Sequence, residues 1–528
     1  MQEYYQENAV KKECLLPVNI KAAGNMAAEE NLLQAKTACV SFRDDGCAVF
    51  TKKGAYVVLD FGKELCGGVR LITGSVENGP AKFRITFGES LTEACTAIGE
   101  KNATNDHSPR DFQAVVPALS DLCFGMSGFR FARLELLCDY PVCIRNVYAV
   151  NHLPVFEKEG SISSSDPALN QIMDTAAYTL KLNLQNGYIW DGIKRDRLVW
   201  AGDLHQEILL ASYLYGDRSH ITNSLRFLKE ETPANAWING IPSYSAWWVI
   251  NLCDYYRLSG DRAFLEECRA YALAVLENFD RCIDEKGEMD FSTATHWMPY
   301  FLDWPTTDTP DAKIGTAALL VYMAKKYLNI EENPPCRRII GKLSSYLDMD
   351  CRFKQTRAFQ ILAGRDPKDQ AAFLEKGSAE GLSTFMAYYI LKADAMAGGT
   401  KMLAMVKEYF WGMLSRGATT FWEDFDIRWL EGSGRIDQFP QLGQKDIHGD
   451  HGAFCYEGFR HSLCHGWSSG VLAFIIEDMM GLTLEQGGEV CEAAPCVPDN
   501  LQFSAKLPVN DGWLHIDICN GQATITRK

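Results

Sequence analysis

Hydrophobic and polar residues alternate in short runs along the first part of the chain. The runs at 55–61 (AYVVLDF), 83–88 (FRITFG) and 129–137 (FRFARLELL) are separated by segments that contain Gly, Asn and Pro. A period of two is typical of strands with one buried face, and turn residues between such strands favour antiparallel pairing. We therefore expect residues 1–155 to form an N-terminal antiparallel β-sandwich-like domain.

The period then lengthens to that of α-helices. Ser165-Asp166-Pro167 is a helix-start signal, and apolar residues follow it at i, i+3, i+4, i+7 and i+8. Roughly a dozen amphipathic segments of this kind lie between 166 and 481 with no strand pattern between them. Paired helices in that number indicate a toroid of six helical hairpins. We predict an (α/α)6 barrel over residues 156–482.

Alternation returns near the C-terminus, at 513–518 (WLHIDI) and 523–527 (ATITR). This length suits a short C-terminal β region, residues 483–528. The predicted fold class is therefore a multidomain α plus β protein, in which β regions flank the helical barrel.

Charge and composition exclude several classes of partner. The 68 Asp and Glu residues outnumber the 52 Lys and Arg residues, which gives a net charge of −16 and no basic patch for a nucleic acid. We see neither a secretory leader nor an apolar run of the ~18 residues that a membrane span needs, so no membrane partner is expected. The 18 cysteines are scattered without a CxxC pair, which favours reduced thiols and a cytoplasmic location, with no metal and no cofactor.

The first chemically informative segment is 191–203 (DGIKRDRLVWAGD). Were residues 196–203 helical, Asp196, Trp200 and Asp203 would share one face. Two carboxylates around an indole suit a polar pocket for a sugar better than a core. The alternative is a salt-bridged helix start, in which Arg195 and Arg197 pair with the acids.

A second acidic segment, 417–426 (GATTFWEDFD), places Glu423 among aromatic residues. Hydrolysis of a glycosidic bond needs two carboxyl groups on opposite sides of that bond. The lumen of a barrel could bring Glu423 together with a carboxyl group of the first segment. The alternative is an acidic surface turn.

Histidines and aromatic residues supply further candidates. Four of the ten histidines lie between His448 and His465, but their spacing fits no single helix and no HExxH motif is present. Hydrogen bonding to a substrate is therefore favoured over a metal site. Candidates for an aromatic pocket wall are Tyr244, one residue of the Trp247-Trp248 pair (Trp248 is preferred), Trp297 and Trp304.

Four motifs together resemble the α-L-rhamnosidases of glycoside hydrolase family 78: DGIKRDRLVWAGD (191–203), YFLDWP (300–305), GATTFWEDFD (417–426) and RHSLCHGWSSG (460–470). The resemblance implies that the (α/α)6 barrel is the catalytic domain. It also implies an inverting hydrolysis of terminal α-L-rhamnosyl residues from glycosides or oligosaccharides. The expected partner is a small rhamnosylated glycoside or oligosaccharide, and a homo-oligomer is compatible with the sequence.

By position in these motifs, Asp196 matches the general acid of the family and Glu423 the general base. The expected substrate-binding residues, from the resemblance and from the residue patterns, are Asp191, Arg195, Trp200, Asp203, Tyr244, Trp248, Trp304 and His465. Two features depart from the family pattern. Many members have Glu where Asp196 stands, and the segment between Glu423 and His465 is longer here.

Two other functions are alternatives to hydrolysis. A sugar-binding protein with a degenerate barrel would not need both Asp196 and Glu423. A polysaccharide lyase, which can share the α-toroid, would need a base near a uronic acid and cations for its carboxylate.

Overall fold

The computed structural model of the protein describes residues 10–76, 79–291 and 298–528. Within these ranges, the region before residue 155 contains nine strands that join in one antiparallel sheet. The strands are β1 Val10–Leu15, β2 Asn19–Gly24, β3 Met26–Ala27, β4 Ala48–Phe50, β5 Tyr56–Val76, β6 Ala81–Gly88, β7 Asp111–Val116, β8 Asp121–Leu136 and β9 Val142–Pro154. A short helix, α1 (Leu91–Ala94), follows β6.

The long strand β5 organises this sheet, whose order is β3-β4-β9-β5-β8-β6-β7. β5 pairs with β8 along most of its length, while β9 pairs with its C-terminal half and β2 with its start. Phe87 and Phe129 stack in the buried core of the sheet with ring centroids 4.3 Å apart. The predicted antiparallel strands before residue 155 are thus confirmed.

The helical region starts where the sequence predicts. Asp166 caps α2, and its carboxylate accepts hydrogen bonds from the backbone N–H groups of Ala168 and Leu169. The helices are α2 Pro167–Asn183, α3 Leu204–Leu214, α4 Ser219–Glu231, α5 Pro242–Ser259, α6 Arg262–Arg281, α7 Pro310–Leu328, α8 Pro334–Leu343, α9 Lys354–Leu362, α10 Ala371–Leu374, α11 Ala387–Met396, α12 Met402–Ser415 and α13 Gly470–Phe474.

Burial separates an inner and an outer set of helices. Every residue of α3 is buried and so is nearly all of α5, whereas α4 and α6 bury one face. A helix that is buried all round is enclosed by other elements. The contacts run from α3 to α5, α7, α9, α11 and α13, and then from α13 back to α3. In the described parts of the chain, no helix combines the length and the apolar character needed to cross a bilayer.

The C-terminal strands pack on the helical region. β15 (Phe503–Val509), β16 (Gly512–Cys519) and β17 (Gln522–Arg527) form an antiparallel sheet, and β10 (Ser161–Ser164) pairs with β15 at its edge. Their buried residues belong to the same hydrophobic core as the helices. Two small hairpins complete the strands: β11 Leu184–Gln185 with β12 Tyr188–Ile189, and β13 Leu482–Glu485 with β14 Val490–Ala493.

A small hydrophobic cluster joins the N-terminal sheet to the helical region. It contains Cys66 of β5, Leu153 of β9, Leu182 of α2, and Ile193 and Cys464 from two loops. These two loops carry most of the polar residues singled out in the sequence. The packing of the N-terminal sheet therefore fixes the position of the functional loops.

Candidate active site

A cavity of about 470 Å³ opens where the loops before α3, after α12 and before α13 meet. Nine of the ten site residues expected from the sequence line it: Asp191, Arg195, Asp196, Trp200, Asp203, Tyr244, Trp304, Glu423 and His465. Its volume is that of a pocket for a small ligand. The residues of the two acidic segments, which are more than 200 positions apart in the chain, therefore face one space.

The segment 191–203 is an irregular loop, and α3 begins only at Leu204. The suggestion that Asp196, Trp200 and Asp203 share a helix face is therefore wrong. Hydrogen bonds shape the loop instead: the Asp191 carboxylate accepts from the backbone N–H of Asp196 at 3.2 Å and of Leu198 at 2.8 Å. Because burial disfavours its charged form, the pKa of Asp191 rises to about 7.

Arg195 joins the two carboxylates that the sequence assigns to catalysis. Its Nη1 donates to Asp196 Oδ1 at 2.9 Å and its Nη2 to Glu423 Oε1 at 2.5 Å, while Nε donates to the carbonyl of Arg460 at 3.1 Å. Because the nitrogens of one planar guanidinium have a fixed spacing, the two carboxylate oxygens lie within about 8 Å of each other. Paired carboxylates of glycoside hydrolases span about 5–9.5 Å.

Glu423 is the buried member of this pair, and its side chain is 3% exposed. Its Oε1 accepts from Arg195, and its Oε2 accepts the backbone N–H of Ser462 at 2.9 Å. Its own backbone is fixed too: its N–H donates to the Ser462 carbonyl, and its carbonyl accepts from Trp467 Nε1, both at 2.9 Å. The side chain and the backbone of Glu423 are therefore both held in one orientation.

Asp196 is the more accessible member, with a side chain that is 18% exposed. His107, from the N-terminal region, lies 3.4 Å from its Oδ1. Arg197, next in the chain, points elsewhere: it donates to the carbonyl of Met126 and lies over the ring of Trp190. Asp196 therefore stands at the mouth of the cavity, and Glu423 stands at its base.

A second polar group lies on the same side as Glu423. His465 Nε2 is 3.0 Å from Asp203 Oδ1, and the Tyr244 hydroxyl lies 3.4 Å from Asp203 Oδ2. His465 Nδ1 lies 3.7 Å from Glu423 Oε1. Burial opposes protonation of His465, but the negative charges of Glu423, Asp203 and Asp191 outweigh it and raise the pKa of His465 to about 9. At neutral pH the ring is therefore an imidazolium.

The remaining wall of the cavity is aromatic. Trp200 meets Tyr244 edge to face at 5.8 Å, and Trp304 stacks on Phe454 at 5.5 Å. The Trp304 indole N–H donates to the hydroxyl of Tyr456. One side of the cavity thus carries carboxylates and cations, while the other presents ring faces and edges.

The tenth expected residue, Trp248, does not line this cavity. Its side chain is fully buried, its indole N–H donates to the Leu225 carbonyl at 2.9 Å, and its ring packs on Tyr271. The prediction that it binds substrate is therefore wrong, because α5 is buried nearly all round and turns this residue toward the outer helices. Trp297, another aromatic candidate, lies outside the described residues.

Several lining residues were not predicted from the sequence. They are Ile241, Met298, Phe301, Phe454, Cys455, Tyr456, Arg460 and Trp467. Phe454 to Tyr456 belong to the segment between Glu423 and His465. The sequence feature that could have identified them is the presence of aromatic residues between two groups of histidines.

The histidines of that segment serve the structure rather than the cavity. His448 bonds Ser90 Oγ at 2.8 Å and the His461 carbonyl at 2.9 Å, and His451 stacks on Trp429. Among the described residues, Glu89, Glu93 and His448 have the spacing of metal ligands. The Lys194 ammonium lies 3.0 Å from Glu89 and 3.1 Å from Glu93, so this cluster already contains a cation.

A larger cavity, of about 870 Å³, lies at the C-terminal ends of α5 and α7. Its charged groups pair with each other: Asp254 accepts from both Lys326 and Arg257. Among the described lining residues the acidic ones are Glu485 and Asp254, and two cations hold Asp254, so a larger volume does not by itself identify the reactive site.

Comparison with known proteins gives a family-model match within the helical region. Residues 157–330 match the family model for the bacterial alpha-L-rhamnosidase six-hairpin glycosidase domain. A search of curated protein sequences finds no match.

Solved structures of rhamnosidases share the fold at low sequence identity. The family 78 rhamnosidase of Bacillus sp. GL1 has a TM-score of 0.73 and 17% identity over 94% of this chain, which spans 54% of that protein. The Klebsiella oxytoca rhamnosidase, solved with rhamnose bound, has a TM-score of 0.66 and 20% identity over 89% of this chain and 96% of its own. The Streptomyces avermitilis α-L-rhamnosidase, solved with L-rhamnose, has a TM-score of 0.66 and 14% identity over 97% of this chain and 48% of its own.

Residues 157–330 thus match the model of the bacterial alpha-L-rhamnosidase six-hairpin glycosidase domain, and the chain shares the fold of the solved family 78 rhamnosidase.

Proposed function

We propose that the protein is an α-L-rhamnosidase that removes terminal α-L-rhamnosyl residues from glycosides or oligosaccharides with inversion at the anomeric carbon. The observation that carries this proposal is the placement of Asp196 and Glu423 within about 8 Å of each other through Arg195, beside a cavity of sugar size. The family match and the rhamnose complexes of structural neighbours support the choice of sugar.

The two carboxyl groups divide the work by their surroundings. Glu423, held by Arg195 and the Ser462 amide, is the base that takes a proton from the attacking water. Asp196 is the acid that protonates the leaving oxygen at the mouth of the cavity. Arg195 and His107 both lie against its Oδ1, so we assign the transfer of the proton to Oδ2.

The other residues hold the sugar. Asp203 and protonated His465 form an acceptor and donor pair for hydroxyl groups, while Trp200 and Tyr244 pack on the ring. Rhamnose carries a methyl group at C5, and an apolar wall accommodates it without leaving a polar group unpaired. In a lyase the cation beside the two acids would bind the carboxylate of a uronate, whereas the Arg195 guanidinium is held by Asp196 and Glu423.

We propose the finer architecture and location on the same basis. The closed series of contacts from α3 through α13 supports an (α/α)6 barrel over 156–482, with an N-terminal sandwich over 1–155 and a short β region over 483–528. All 18 cysteines are unbridged, which supports a reducing cytoplasm. Recovery of the protein in the cytosolic fraction of its cells would support that location, and recovery outside the cytosol would contradict it.

A panel of aryl glycosides tests the activity. We expect release of the aryl alcohol from an aryl α-L-rhamnoside. The matched α-L-mannoside carries a hydroxymethyl group in place of the methyl group at C5, and we expect its kcat/KM to be at least about tenfold lower. Steady-state absorbance gives both values. Equal rates on the two sugars would contradict the role of the apolar wall, and no turnover of either would contradict the proposed function.

The change Glu423→Gln tests the base. A neutral amide cannot accept the proton from water, so kcat should fall by about 10³-fold or more while the fold is retained. Proton NMR of the wild-type reaction, recorded before mutarotation, should show β-rhamnose as the first product. An initial α product would mean that Glu423 is a nucleophile and that the reaction retains configuration.

The change Asp196→Asn tests the acid. An aryl leaving group with a low pKa barely needs protonation, so its hydrolysis should suffer far less than that of an alkyl rhamnoside or a disaccharide. The ratio of kcat/KM between the two substrate classes, compared with the wild type, measures the effect. An equal loss of kcat/KM on both substrate classes would contradict the role of Asp196 as the general acid.

The pH dependence tests the His465–Asp203 pair. The pKa of His465 in the folded protein, about 9, exceeds its ordinary value. Protonation therefore stabilises the fold fully below about 6.5, and this contribution is lost as the pH rises through about 9. We expect an alkaline limb of kcat/KM near pH 9 that Asp203→Asn moves to lower pH, matched by the His465 titration in NMR spectra of labelled histidine. If Asp203→Asn leaves the alkaline limb at the same pH, the limb does not report the titration of His465 beside Asp203, and this prediction is contradicted.

A further inference from the structure

A buried cluster of charges lies between the N-terminal sheet and the loops of the active site. Glu89 follows β6 directly, Glu93 lies in α1, and Lys194 precedes Arg195 in the loop before α3. The side chains of both glutamates are fully buried, and that of Lys194 is 8% exposed. Since buried charges are costly unless they are paired and hydrogen-bonded, each of these groups needs defined partners.

Lys194 connects the two glutamates to the loop that precedes α13. Its Nζ lies 3.0 Å from Glu89 and 3.1 Å from Glu93, and it also donates to the carbonyls of Phe459 and His461 at 3.0 and 2.6 Å. Burial disfavours the ammonium form, but the two glutamates outweigh it and raise the pKa of Lys194. The ammonium therefore fixes the backbone just before Ser462.

Glu89 also contacts this backbone directly. Its Oε2 accepts the N–H of Leu463 at 2.6 Å, and its Oε1 accepts the Ser462 hydroxyl at 3.3 Å. On the other side of the same residue, the Ser462 N–H donates to Glu423 Oε2, and the Ser462 carbonyl accepts the Glu423 N–H, both at 2.9 Å. One residue, Ser462, thus separates the Glu89 carboxylate from the Glu423 carboxylate.

We propose that Glu89 of the N-terminal sheet region is a positioning residue for Glu423, which it orients through Ser462 and Leu463. This inference rests on the proposed function, in which Glu423 is the catalytic base. Moving the Ser462 amide changes the direction in which Oε2 faces the attacking water. A misplacement of about 1 Å at a reacting group can cost about 10²-fold in rate. The N-terminal region is then part of the catalytic apparatus rather than only an attached domain.

Kinetics of Glu89→Gln test this proposal on an aryl α-L-rhamnoside. Gln keeps the shape of the side chain, but its single amide oxygen cannot accept from the Leu463 N–H and the Ser462 hydroxyl together, and it carries no charge for Lys194. We expect kcat to fall by about 10- to 100-fold with KM changed less than about twofold, because ground-state binding of the sugar does not involve Glu423 orientation. The matched control is Asp394→Asn, a buried carboxyl of α11 whose charged neighbours do not line the active-site cavity, for which we expect kcat within about twofold of wild type.

Glu89→Asp covers the case in which Glu89→Gln does not fold. Asp keeps the charge beside Lys194 but withdraws the carboxylate from Leu463. A positioning role predicts a fall in kcat of at least about fivefold in this variant, whereas a role in charge balance alone predicts wild-type kcat. Folded Glu89 variants with unchanged kcat, or with a raised KM alone, would overturn the proposal.

A double-mutant cycle with Glu423→Gln separates positioning from general structural damage. If Glu89 acts through Glu423, adding Glu89→Gln to Glu423→Gln should lower kcat by less than about twofold further. Multiplicative losses would contradict the inference. A wild-type protein that hydrolyses no rhamnoside would overturn the proposed function and this inference together, whereas an active wild type with unaffected Glu89 variants would overturn the inference alone.

Discussion

The buried guanidinium of Arg195 is the interaction on which the rest of the active site depends. It donates to Glu423, to Asp196 and to the Arg460 carbonyl, so it holds three separate parts of the chain at once. One guanidinium that donates to both carboxyl groups fixes their separation, because its nitrogens have a fixed spacing. A fixed separation is what a two-carboxyl mechanism requires.

A cation at that depth needs a rigid frame, because removing one partner of a buried ion pair leaves an uncompensated charge. The frame comes from both sides. Asp191 fixes the loop that carries Arg195, and Glu89 with Lys194 fixes the loop that contacts Glu423. Charges inside the interface between the N-terminal sheet and the helices therefore set the geometry of the cavity.

The sequence predicts this molecule well where the signal is local. The cap at Asp166, the alternation before residue 155 and the motifs around Asp196 and Glu423 are short patterns with direct physical meaning. The sequence does not predict features that depend on contacts between residues far apart in the chain. Residues 196–203 are a loop because Asp191 and the strand-like contact between Gly192 and His465 hold them. Trp248 is a core residue because α5 is enclosed on nearly all sides, which leaves no periodic clue. Glu89 reaches Leu463 across more than 370 positions, which no local pattern encodes.

A crystal structure of the Glu423→Gln protein with an intact aryl α-L-rhamnoside tests the central claim most directly. The account predicts that the glycosidic oxygen lies beside the Asp196 carboxyl, that a water lies next to residue 423 on the opposite face of the sugar, and that Asp203 and His465 contact hydroxyl groups. A sugar whose glycosidic bond lies away from Asp196, or one that displaces Arg195 from residue 423, would contradict it.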